Sequence, residues 1–280
     1  ADWIRARHGS KSVTIGNLTD AYSKAARNNG FDEEFVIDDA TREMIRKYGD
    51  LCDDLHTDLH ECLGHGSGQL LPGVSPDALK AYGSTIEEAR ADLFGLYYLA
   101  DPKLLELGLV PNGEAYKSQY YHYLMNGLLT QLVRIKPGDQ IEEAHMRNRA
   151  IIARWCLEHA EGSMELATVD GKTYVRVNDY ARLRLVFGSL LAEIQRIKSE
   201  GDYDAAKKMV EDYGVKIDTG LHKEILGRYE KLNIAPYKGF INPRMNPVMD
   251  ADGNIVDVKL DYTEGYSHQM MRYSREYGLL

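Results

Sequence analysis

The residues most able to do chemistry stand together at His60-Glu61-Cys62-Leu63-Gly64-His65. Imidazole nitrogens bind zinc, and a glutamate beside the first histidine can act as general base toward a zinc-activated water. Peptidases of that kind carry their two histidines four residues apart on a helix, so that both rings face one ion. Here the spacing is five, and on a regular helix the second ring would be turned away by about 140°. The sequence therefore predicts a π-bulge or an opened turn between His60 and His65, with Gly64 supplying the backbone freedom. A helix whose polar side chains simply face water is the alternative that the spacing alone leaves open. His56 would give the ordinary four-residue spacing with His60, but the residue after it is Thr57, not a glutamate.

A catalytic zinc takes three protein ligands and keeps one position for water. The third ligand is sought in Glu87-Glu88-Ala89-Arg90-Ala91-Asp92, at the head of the next strong helix. Ser84-Thr85-Ile86-Glu87 matches a capping box, which commits the Glu87 carboxylate to the backbone and leaves Glu88 to turn toward the metal. Asp92, one turn on from Glu88, can accept a hydrogen bond from a ligand imidazole. The plainer readings are a first-turn Glu88 favoured by the helix dipole and a solvent-facing Asp92. Asp54 and Asp58, upstream of His60, are further candidates for the acceptor role.

The elements that must position these groups are mostly helical. Helices are predicted at Asp20–Asn28, at Ala40–Tyr48, and along a face marked by Leu51, Leu55, Leu59, Cys62 and Leu63. Others follow from Ser84 to about Leu99, Pro111 to Val133, Asp139–Ala160, Asp179–Glu200, Tyr203–Tyr213, Leu221–Leu232 and Thr263–Tyr277. Two hairpins are expected, Met164–Val169 with Lys172–Val177 around Asp170-Gly171, and Val248–Leu260 around Asp252-Gly253. The fold class is mainly α with small β-hairpin additions, read as one domain over 1–280. Tyr116, Tyr120, Tyr121 and Tyr123 read as a helix packing face.

Together the two motifs carry a family likeness. His60–His65 followed by Glu87–Asp92 resembles the dipeptidyl peptidase III family of zinc exopeptidases. That family is marked by a six-residue His-Glu-x-x-Gly-His motif and a downstream Glu-Glu-x-x-Ala-Glu/Asp motif. The resemblance implies one zinc per chain, with His60, His65 and Glu88 as ligands and Glu61 as general base. It also implies that His145 steadies the transition state and that Arg244, in Ile241-Asn242-Pro243-Arg244, belongs to the substrate cleft. Family members have two lobes, so the chain reads as the zinc-bearing upper lobe of a longer protein, an expectation that an N-terminus without an initiator methionine suits. The implied activity is release of dipeptides from the N-terminus of short peptides, with the other lobe of the longer chain as partner. A zinc-stabilised, non-catalytic binding domain and an endopeptidase are the competing readings.

Composition bounds the rest. There are 34 basic and 43 acidic residues and a net charge of −9, which argues against nucleic acid as partner because phosphate binding needs a basic footprint. No stretch of about 18 apolar residues exists, so no helical membrane span is expected. Three cysteines, Cys52, Cys62 and Cys156, are too few for a disulfide framework and point to reduced thiols and a cytoplasmic setting. Cys52 and Cys62 read as small buried hydrophobes.

Overall fold

The computed structural model describes residues 7–8, 28–234 and 241–278. The helix expected at Asp20–Asn28 lies, apart from Asn28, outside the described residues. The chain groups into two compact units, the described residues from 28 to Asn233 in the larger and those from Ile234 onward in the smaller.

In the larger unit α1 (Phe31–Phe35) leads to α2 (Asp39–Leu59), whose first turn is capped by the Asp38 carboxylate accepting from the Thr41 N–H. A π-helical segment, His60–His65, continues α2 directly. Then come α3 (Gly83–Leu99), α4 (Pro102–Glu106), α5 (Tyr116–Leu128) and α6 (Ala144–Glu158). The hairpin β1 (Met164–Val169) and β2 (Lys172–Val177) follows, then α7 (Tyr180–Glu200), α8 (Tyr203–Met209) and α9 (Thr219–Lys231). A second π segment, Val210–Val215, extends α8. In the smaller unit β3 (Arg244–Met249) pairs antiparallel with β4 (Ile255–Asp261), and α10 (Tyr266–Tyr277) follows.

Helix α3 is the axis of the larger unit. Ile86, Ala89, Leu93 and Leu96 on it are fully buried, and the core continues through Tyr120 and Leu124 of α5, Ile151 and Ile152 of α6, and Phe187 and Leu190 of α7. The α2 helix, its π extension, α6 and α7 all pack against α3. The β1–β2 register, Met164 with Val177 to Val169 with Lys172, closes on Asp170-Gly171. Both turn residues have positive φ, as a two-residue hairpin turn requires.

Two expectations need correction here. The residues from 39 to 59 form one continuous helix, not two, and the leucine row packs only in part: Leu55 and Leu59 lie against the cluster around Cys52, while the deepest burial on the helix is at Cys52 and His56. Leu51, Cys62 and Leu63 are exposed, whereas Cys52 and His56 are buried. The reason is the partner surface: Gly95 of α3 has no Cβ, and one placed there would overlap the His56 ring and lie 3.0 Å from the His56 carbonyl oxygen. A small residue on α3 thus draws the His56 side of α2 inward, overriding the leucine pattern.

Candidate metal centre

The π segment solves the spacing problem. Widening the helix to i→i+5 closure lets residues five apart share a face as residues four apart do on an α-helix. Its last turn sits tightly on α3, because a Cβ on Gly64 would come within 2.6 Å of the Ala91 Cα. The outcome is that His60 Nε2 and His65 Nε2 lie 3.0 Å apart. Glu88 Oε2 approaches from α3 at 3.4 Å from the first and 3.6 Å from the second. Three donor atoms on one tetrahedral zinc, at about 2.0–2.1 Å each, would be roughly 3.3 Å from one another, so the triangle already has the size of one tetrahedral face.

Each imidazole spends its other nitrogen on a carboxylate. His60 Nδ1 donates to Asp92 Oδ1 at 2.6 Å, and His65 Nδ1 donates to Glu87 Oε1 at 2.8 Å. With Nδ1 protonated in both rings, the two Nε2 lone pairs face each other, and Glu88 Oε2 is buried without a hydrogen-bond partner. Lone pairs and a carboxylate oxygen converging this way call for a cation, and a nitrogen–nitrogen–carboxylate set suits zinc. Among the described residues His60, His65 and Glu88 are the group so arranged.

The electrostatics agree. Burial alone would lower His60, but the carboxylates of Asp92 and Glu88 outweigh it and push the imidazole up to about 10. His65 rises to about 9 through Glu87 and then Glu88, against the pull of burial. Burial raises Glu88, yet the two imidazoles prevail and hold its carboxyl at about 2. Glu87 and Asp92 are likewise held below the usual carboxylate range, against burial, by their histidine partners first. The carboxylates thus favour positive charge on the ring edges that face Glu88, which either a proton on each Nε2 or a shared cation supplies.

The remaining candidates fall into place around this centre. Glu61 is half-buried on the π segment, and among the described residues it makes no hydrogen bond or ion pair. His145, in the first turn of α6, is 54% exposed and brings Nδ1 to 3.4 Å from Glu88 Oε2. The α6 N-terminus is fixed by Glu143, whose carboxylate accepts from the His145 and Met146 N–H groups. Asp92 is buried and its Oδ2 accepts from Tyr123 Oη at 2.6 Å and Asn148 Nδ2 at 3.0 Å. His56 is committed elsewhere, to the Asp92 carbonyl and to Gln119. Asp58 is exposed. Arg244 opens β3 in the smaller unit, where its charge bears on Asp261 and Glu264.

The capping box expected at Ser84–Glu87 does not form. A 3₁₀ turn at Lys80–Tyr82 feeds into α3, which begins at Gly83 without a side-chain cap. Ser84 is therefore inside the helix, and Glu87 is free to take His65 Nδ1 as well as Arg90 and Lys198. Sequence reasoning missed Glu87, Arg90, Tyr123 and Asn148 as members of the site. Only Glu87 and Arg90 carried a signal, their place within the Glu87–Asp92 motif.

Two imidazoles and a carboxylate around one point form a group that could hold a metal ion, with Glu61, which has no partner among the described residues, beside the first imidazole. The model of peptidase family M49 matches residues 1–80 and 75–226. The chain belongs to peptidase family M49. It is 27% identical over 258 residues to dipeptidyl peptidase 3 of Mus musculus, covering 78% of this chain and 34% of that one. The Homo sapiens protein of the same name is 27% identical over 259 residues, with the same coverage. Solved structures of dipeptidyl-peptidase III from Caldithrix abyssi and from Corallococcus sp. strain EGB each superpose with a TM-score of 0.62, at 24% and 23% identity. Each covers 82% of this chain, and 41% and 40% of those chains respectively. The chain spans about a third of the length of the curated relatives it matches. Among the described residues no helix is long and apolar enough to cross a membrane.

Proposed function

We propose that this chain carries the zinc centre of an N-terminal dipeptide-releasing peptidase, with His60, His65 and Glu88 as the metal ligands. The observation that carries the reading is the 3.0, 3.4 and 3.6 Å triangle of His60 Nε2, His65 Nε2 and Glu88 Oε2. Zinc held there would supply Lewis acidity, lowering the pKa of a coordinated water toward about 7 and polarising a peptide carbonyl. Glu61, next to His60 and without another partner among the described residues, takes the proton of the attacking water and delivers it to the leaving amine. His145, exposed at the head of α6 within reach of Glu88, steadies the charge that develops on the carbonyl oxygen. Asp92 and Glu87 fix the tautomer and the orientation of the two ligand rings.

Dipeptide specificity, short peptides as substrates and a second lobe that grips the substrate's amino end come from the family resemblance, as does a cleft role for Arg244. The larger unit would then form the zinc-bearing lobe. The three unpaired thiols suit the reducing cytoplasm, where we place the protein. The test is peptide hydrolysis by a full-length form carrying Glu61→Gln, with zinc content measured in parallel. The reading expects zinc retained and kcat reduced by about 10³-fold or more. A variant that keeps wild-type rates would remove Glu61 from the mechanism.

A further inference from the structure

We infer that Arg90 is a positioning residue for His65, holding that ligand by its backbone and by its ring at the same time; the inference rests on the metal-site reading above. The Arg90 side chain is 0% exposed, and a buried guanidinium is costly unless its donors are used. Nη2 donates both to the Gly64 carbonyl at 2.6 Å and to Glu87 Oε1 at 2.9 Å. The Gly64 carbonyl and the His65 N–H belong to one peptide unit, so the first bond fixes the plane by which the chain enters His65. Glu87 Oε1 is the same oxygen that accepts from His65 Nδ1, so the second bond fixes the acceptor that orients the ring. Nε closes the fork on Glu87 Oε2 at 3.0 Å, and Nη1 reaches Ser67 Oγ at 3.3 Å and Gln195 Oε1 at 3.4 Å.

This grip answers a specific need. A π-helical turn is an uncommon local conformation, and His65 is the last residue of one. The planar fork grips both Glu87 oxygens while it reaches the Gly64 carbonyl; a lysine there has three donors on one flexible point charge and loses that fixed bidentate geometry. The Nδ1 side of His60 is held differently, through Asp92 with Tyr123 and Asn148 behind it, and the two arms meet at their Nε2 atoms and at Glu88 Oε2. Loss of Arg90 should therefore act through the His65 arm. Lys198 also pairs with Glu87, so that carboxylate keeps a cation in the Arg90 single variants.

The test is zinc affinity of the 280-residue chain, measured by competition with a chromophoric chelator. The variants are Arg90→Lys, Arg90→Met, Glu87→Gln and Asp92→Asn, with Arg90→Met also combined with each of the last two. Arg90→Lys and Arg90→Met should each weaken zinc by about 10-fold or more. Combined with Glu87→Gln, the loss should fall short of the product of the single losses by about fivefold or more, whereas with Asp92→Asn the losses should multiply within about twofold. Should Arg90→Met not fold by circular dichroism, the combinations are made with Arg90→Lys, and the same outcomes apply. Wild-type zinc binding with an unaffected Arg90→Lys, or full multiplication with Glu87→Gln, overturns the inference alone. A wild-type chain that takes up no zinc overturns the metal-site reading and the inference with it.

Discussion

His60 and His65 are five residues apart on one continuous helical run, yet their Nε2 atoms meet at 3.0 Å. That contact depends on the π segment, and the π segment depends on what it rests against. Gly64 touches the Ala91 backbone, Arg90 holds the Gly64 carbonyl, and Glu87 and Asp92 hold the two rings from opposite sides. All four residues that grip the segment lie on the first turns of α3. The candidate metal centre is therefore a property of the α2–α3 interface, not of the histidine motif by itself.

Gly64→Ala should be poorly tolerated, because its Cβ would meet Ala91 Cα at 2.6 Å and Ala91 Cβ at 2.7 Å. Overpacking of this kind costs about 1–3 kcal/mol, which for a chain of this size lowers Tm by roughly 2–5 °C. Gly227→Ala in α9 is the control, since nothing lies within 4 Å of its added Cβ. It should stabilise by about 0.5–1 kcal/mol through helix propensity. Thermal unfolding of both variants checks the pair, and equal effects would contradict the packing argument.

Tyr123→Phe removes one of the two side-chain donors on Asp92 Oδ2. Leaving a buried carboxylate short of a hydrogen bond costs about 2 kcal/mol. Chemical denaturation should show this as a lower midpoint at unchanged slope. A midpoint equal to wild type would mean that solvent reaches Asp92 after the hydroxyl is lost.

Acid should loosen the contact between α1, the β1–β2 hairpin and α9. Arg228 is buried there, donating to Glu34 at 2.7 Å and to Glu224 at 3.0 Å. Burial raises both carboxyls, but Lys172 and Arg228 on Glu34, and the Thr173 N–H and hydroxyl with Arg228 on Glu224, hold them below the usual range. Groups depressed in the folded state stabilise it above their unfolded pKa, about 4.3 for glutamate. That stabilisation is lost as pH falls through the folded values. Unfolding temperatures should therefore drop below about pH 4.5, and Glu34→Gln should drop less steeply. Parallel pH profiles for the two proteins would refute this account.

His145→Asn should leave zinc content unchanged and lower kcat of a full-length form by about 10²-fold, the size of one lost oxyanion donor. A variant with lowered zinc and unaltered turnover per bound zinc would make the residue a metal-site prop instead of a transition-state contact.

Much of this was legible in the residues, and the failures have a common cause. The five-residue histidine spacing forbids a regular helix, and the segment is π-helical. Asp170-Gly171 announces its turn, and the flanking strands pair in the register it sets. What could not be read is which small residue lets two helices meet. Gly95 turns His56 inward and leaves Leu51 and Leu63 outside, and no periodicity within α2 reveals a gap on α3. Ser84 reads as a helix start and Glu87 as its cap partner, while the 3₁₀ turn before Gly83 moves that start upstream and frees the carboxylate for His65. Tyr123 and Asn148 reach Asp92 from α5 and α6, a convergence set by tertiary packing alone.

The central claim is most directly tested by the zinc content of the purified chain after exposure to the metal, for the wild type and for Glu88→Ala. One zinc per wild-type chain, lost or markedly weakened in the variant, is the result this account predicts. A wild-type chain that takes up no zinc, or a Glu88→Ala chain that binds it as tightly, would contradict it.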